Sequence, residues 1–114
     1  MTVSFETAKK LKEAGLPCPS PLVYGQMYYS PTGVLLSVVI NTHLGRGIFA
    51  PTATDLLPVG WLLLRHTEDW VAISAANLIN SVGKEYIEPY FRHPNPHEAA
   101  SQARLFVNRK KDQK

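Results

Sequence analysis

The sequence predicts an α+β fold: a small antiparallel sheet of about four strands, with N- and C-terminal helices packed on it. Three observations lead there. The chain opens on a helix with both a start and a stop signal, Ser4 to Gly15. A second helix start, Asn95-Pro96-His97-Glu98, opens its last segment. Between them lie β-branched and aromatic segments divided by Pro and Gly, joined by turns short enough to favour antiparallel pairing over a crossover unit.

In the first helix, Ser4 can accept from the open N–H groups and Glu6 suits the positive helix start. Phe5, Ala8 and Leu11 share a face; Gly15 supplies the left-handed stop and Pro17 forbids continuation. Leu16 to Pro21, with three prolines, is a rigid connector. Tyr24 to Tyr29 reads as a strand, Ser30-Pro31-Thr32-Gly33 as a turn, and the two segments Gly25–Tyr29 and Val34–Asn41 as a hairpin. Val34 to Thr42 is nearly continuous in apolar residues, which predicts a central strand buried on both faces.

The segment from Thr42 to Gly47 is a loop, and Ile48-Phe49 belongs to a short edge segment. Pro51 to Pro58 reads as a short helix. A second hairpin follows, Trp61–Arg65 and Trp70–Ser74 around a polar turn. Ala75 to Glu88, including Leu78, Ile79 and Val82, is open between helix and loop. Tyr86 to Phe91 is extended, with Pro89 favouring an edge. The last helix takes Asn95 as cap and Pro96 as first residue, with Glu98 completing a capping box. Its alanines, Ala99, Ala100 and Ala103, permit close approach to a sheet.

At 114 residues, 45% of them apolar, the chain has enough to bury for one core without metal or disulfide. We expect one domain over residues 1–108 and a basic tail over 109–114. The tail accounts for the whole net charge of +3, since Arg109, Lys110, Lys111 and Lys114 outweigh Asp112 and the rest balances. The pI near 9.1 therefore describes an end, not a basic face, and nucleic acid is an unfavoured partner. No segment approaches a membrane span and no signal-peptide pattern opens the chain, so a cytoplasmic protein is expected. The single cysteine, Cys18, excludes an internal disulfide.

Catalytic patterns are missing. His93 and His97 are separated by Pro94 and Pro96 and share no helical face, so no metal site is expected. Cys18 lies between prolines with no activating base in view, and Glu68-Asp69 falls in a turn where solvated acids are ordinary. His97, at a helix start, is expected neutral and exposed. No cofactor and no catalytic residue is assigned, and a small hydrolase is the least favoured class.

One loop stands out. Thr42, His43, Gly45, Arg46 and Gly47 combine free backbone N–H groups, side-chain donors and a planar cation, which suits an anion such as a phosphate. The competing reading is a backbone that needs positive φ at Gly45 or Gly47. Arg65 and Arg92 are expected to add charge from another strand or subunit. The tyrosines and tryptophans suit a subunit interface first, then a ligand wall or plain core packing.

The segments FETAKKLKEAGLPCP, GIFAPTATDLLP and NPHEAASQARLFV resemble a family of small accessory proteins without assigned activity, found in bacteriophages and Bacteroidetes-type bacteria. The resemblance covers most of the chain and departs from it around Ile87 to His93. It implies phage or prophage origin and a host-cell cytoplasmic setting, and it carries over no binding residues. The leading expectation is a non-enzymatic homo-oligomer that sequesters an anionic, nucleotide-like immune signal. The alternative is a module that binds and inhibits a host protein.

Overall fold

The computed structural model describes residues 2–112 apart from Val82 and Lys84, with residues 110–112 described by backbone alone. The fold is α+β. The chain divides into two compact units, residues 1–52 and residues 53–114. Each holds a three-stranded antiparallel sheet, where the sequence suggested one sheet of about four strands. Each terminal helix covers the sheet of its own unit.

The first unit opens with α1 (Phe5–Glu13). Ser4 caps it, its side chain accepting the Thr7 N–H at 3.1 Å. Gly15, at φ 87°, ends it: the Gly15 N–H donates to Lys12 O and the Leu16 N–H reaches back to Leu11 O, both at 3.0 Å. That pair satisfies carbonyls which the helix end leaves open. Three short strands follow, β1 (Met27–Tyr29), β2 (Leu35–Ser37) and β3 (Ile48–Ala50), in the order β2-β1-β3. The β1–β2 hairpin places Tyr29 opposite Leu35. The Tyr29 hydroxyl donates to Val3 O at 2.8 Å, and its ring lies 5.3 Å from that of Phe5, which joins α1 to the sheet.

The apolar run Val34–Thr42 is not the buried central strand its composition predicts. Only Leu35–Ser37 is strand, it is an edge, and all three residues are exposed. The centre is β1, because both of its backbone edges are taken, one by β2 and one by β3. β-Branched content measures fitness for a pleated surface; the position in the sheet depends on which backbone each edge meets.

The second unit contains α2 (Ala53–Leu56), β4 (Trp61–His66), β5 (Asp69–Ser74), α3 (Ala75–Asn80), β6 (Tyr90–His93) and α4 (Pro96–Asp112). Its sheet has the order β4-β5-β6, so Tyr90 and its neighbours form an edge strand as Pro89 suggested. The segment left open in the sequence resolves at its start into α3, where the Ser74 hydroxyl accepts the Asn77 N–H at 3.2 Å; Val82 lies outside the described residues.

One face of this sheet meets α4. Ala72, Ala99 and Ala103 are fully buried, with Trp61, Leu63, Trp70 and Phe91 packed around them. Small residues on both sides bring helix and sheet close, and the aromatic rings fill the margins. Arg104 donates to Leu56 O at 2.9 Å, which ties α4 to α2. Asn95 Oδ1 accepts the His97 N–H at 2.9 Å at the expected helix start. His97 itself is half-buried, not exposed: its Nδ1 accepts the Ala53 N–H at 2.7 Å. The helix continues past residue 108, so Arg109 and residues 110–112 of the expected tail are helical; Gln113 and Lys114 lie outside the described residues.

Candidate functional site

The loop Thr42–Gly47 is built in a way that its composition does not suggest. Thr42 is bridged to Leu22 by backbone hydrogen bonds of 2.8 and 3.0 Å, and its hydroxyl donates to Ile40 O at 2.6 Å. His43 Nδ1 meets the Ser20 hydroxyl at 3.1 Å. The Gly45 N–H donates to His43 O at 3.2 Å, so it is spent inside the loop. Neither Gly45 nor Gly47 has positive φ. Gly47 is crowded instead: a Cβ there would stand 2.6 Å from Leu44 Cδ1, which would have to move, and 3.1 Å from Tyr29 O. Arg46 is exposed.

Behind these glycines lies an apolar pocket of about 150 Å³, lined by residues that include Leu11, Leu16, Cys18, Leu44 and Phe49. Burial pushes the Cys18 thiol above its ordinary pKa, against a smaller opposing pull from Lys12. A thiol held protonated is a poor nucleophile. The loop thus closes over an apolar space, and Arg46 is the cation it leaves in solvent.

Arg65 and Arg92 belong to the second unit and are committed there. Arg65 Nε donates to Thr67 O at 3.1 Å, and its guanidinium lies 5.3 Å from the Trp70 ring centroid. Arg92 Nε donates to Asp69 Oδ2 at 2.8 Å. Its Nη2 lies 2.9 Å from His66 Nδ1. A guanidinium only donates, so His66 Nδ1 is the acceptor and Nε2 carries the ring proton. The two arginines point to opposite faces, since Arg92 follows the parity of His66 and Asp69 while Arg65 pairs with Trp70.

The Arg92 face carries an open, polar cleft of about 530 Å³, lined by His66, Gly83, Glu85, Tyr86, Tyr90 and Arg92. Tyr86 stands edge-on to both neighbours, 5.8 Å from Tyr90 and 5.9 Å from His66. Asp69 neutralises Arg92, so the cleft is no strong anion trap. Among the described residues, no group of three or more His, Cys, Asp or Glu is placed to hold a metal ion, and no helix is long and apolar enough to cross a membrane.

The most unusual surface was not singled out by motif. Between Glu13 and Arg46 the chain has no Asp, Glu, Lys or Arg. In that stretch Tyr24 is 78% exposed, Val39 73%, Ile40 72% and Val34 55%, with Leu35 and Leu36 also exposed. Scattered exposed apolar residues are ordinary; consecutive ones along an unpaired strand edge are not. The missing charges were legible as a signal, but the apolar run read as core.

No family model, no curated protein and no solved structure matches the chain.

Proposed function

We propose that this is a non-enzymatic binding protein, of the bacteriophage accessory kind that its sequence resembles, acting in the host cytoplasm by contact with protein. The observation that supports this reading is the exposed, uncharged β2 edge, Leu35–Ser37, with Val34 before it and Val39 and Ile40 in the bend after it also exposed, while Val38 is buried. An exposed edge offers backbone donors and acceptors for strand addition, and flanking apolar side chains supply the area that makes such pairing stable. The reading needs no catalytic group.

Site-specific photocrosslinking in host cells tests it. A crosslinking residue at position 39 is expected to capture a discrete protein, either a host protein or a second copy, with capture lost on adding Ile40→Asp. Labelling no greater than from a control position at Glu13, on the exposed side of α1, would overturn the reading.

A second reading, capture of a nucleotide-like ligand, draws on the cleft. Tyr86 and Tyr90 offer ring surfaces, and Arg92 and His66 Nε2 offer donors, which suit a base better than a phosphate. A thermal-shift screen against cyclic and linear nucleotides tests this. A bound ligand at 100-fold excess over Kd stabilises by about 2.7 kcal/mol. A shift that persists in Arg92→Ala, or no shift with any nucleotide, removes the cleft from consideration.

A further inference from the structure

We infer that the partner of the β2 edge is β2 of a second copy, paired antiparallel about a two-fold axis through Leu36. This rests on the reading of that edge as a protein-binding surface and names its occupant.

Backbone parity sets the register. In the hairpin the Ser30 N–H donates to Val34 O at 2.8 Å, and the Val38 N–H donates to Gln26 O at 2.9 Å. Residues 34, 36 and 38 therefore turn their backbone groups toward β1. Leu35 and Ser37 turn theirs to the free edge. Two such edges laid antiparallel, with Leu36 facing Leu36 of the second copy, bring Leu35 opposite Ser37 twice. Each of those two pairs exchanges an N–H and a C=O in both directions, giving four hydrogen bonds from the same short strand on each side. A two-fold contact has to be self-complementary, and this one is.

The surroundings favour a like partner. Natural edges are blunted by charged residues, proline or bulges. From Val34 to Ile40 there is no proline and no charged residue. Leu35–Ser37 pairs with β1 in unbroken register, and the bulge beyond it, where Gly25 and Gln26 both bond Val38, lies on the β1 side and leaves the free edge of β2 unblunted. Two copies approach without like-charge repulsion. A partner bringing its own charges to this edge would lose their hydration and find no opposite charge on the stretch from Val34 to Ile40 itself. Val34, more than half exposed, adjoins the three strand residues and adds apolar area to the contact.

Sedimentation of the intact protein over a concentration series, with backbone-amide hydrogen exchange, tests the inference. The wild type is expected to dimerise, with the Leu35 and Ser37 amides protected in the dimer and fast on dilution. Leu36→Lys and Leu36→Glu each place like charges opposite one another across the axis and should be monomeric. An equimolar mixture of the two should dimerise again, because only the mixed pair is complementary. Ser37→Pro removes an outward N–H without touching the bonds to β1, and should weaken the dimer as well. Circular dichroism on each variant separates lost pairing from lost folding, and the exchange pattern of the wild type decides the matter if any variant misfolds.

A wild-type monomer with fast Leu35 and Ser37 amides would overturn self-pairing while leaving the edge open to a different protein. A monomer with those amides protected would overturn both, since the chain itself would then cover the edge. A dimer that survives in both charged variants, or fails to return in their mixture, would overturn this interface.

Discussion

The backbone N–H of Ala53 donates to Nδ1 of His97 at 2.7 Å, which joins the first residue of α2 to the first turn of α4. The bond needs an unprotonated Nδ1. Burial also holds the His97 imidazole below its ordinary pKa, with Glu98 pulling weakly the other way.

The sign of the pH effect follows. A histidine with a depressed folded pKa takes up its proton more readily in the unfolded chain, so it contributes stability above the unfolded value, near 6.5, and loses it as pH falls through that value toward the folded one. Urea unfolding at a series of pH values is expected to show stability falling between about pH 7.5 and pH 5. His97→Gln should have a flatter profile over the same window, because the remaining histidines stay in both proteins. An unchanged slope would remove His97 as the cause.

The contact between α4 and its sheet should be intolerant of volume. Ala72, Ala99 and Ala103 are fully buried. Ala103→Leu forces side chains or the helix outward and is expected to cost about 1–3 kcal/mol, read as a lower urea midpoint. Ala→Ser at residue 103 adds only a hydroxyl and should cost less, provided it can bond within the helix.

The two loop glycines should separate cleanly. Nothing stands within 4 Å of a Cβ at Gly45 and its φ is not positive. Gly45→Ala is therefore expected to be neutral, or to stabilise by up to about 1 kcal/mol through the unfolded chain. Gly47→Ala meets Leu44 and the Tyr29 carbonyl and should destabilise. Thermal unfolding of the pair distinguishes this from a loop in which both glycines serve backbone conformation.

Arg92 and Asp69 are partly exposed, with 44% and 29% of their side-chain surfaces open to solvent. Asp69→Asn should therefore cost no more than about 1 kcal/mol, and less in high salt. The more informative readout is the His66 ring by NMR. Loss of Asp69 loosens the guanidinium, and the Nδ1 and Nε2 shifts of His66 should move toward those of a free imidazole.

Much of this protein was decided locally and was open to reading. Ser4, Gly15 and Asn95 bound their helices through contacts with residues close by in the chain. The Tyr29-to-Leu35 hairpin follows from a short turn between two strand-forming segments. The alanines of α4 announced a close approach to a sheet. What remained hidden depends on distant partners. Val34 to Ile40 carries the composition of a buried strand, and only the arrival of β3 on the other side of β1 leaves it as an exposed edge. Gly47 resembles a phosphate-loop glycine until Leu44 and Tyr29 fill the space where its side chain would be. Arg92 resembles a free cation until Asp69, on the neighbouring strand, neutralises it. Local sequence sets backbone conformation through sterics and short-range hydrogen bonds. Burial, pairing and free charge are relations between distant segments, and only the folded chain decides them.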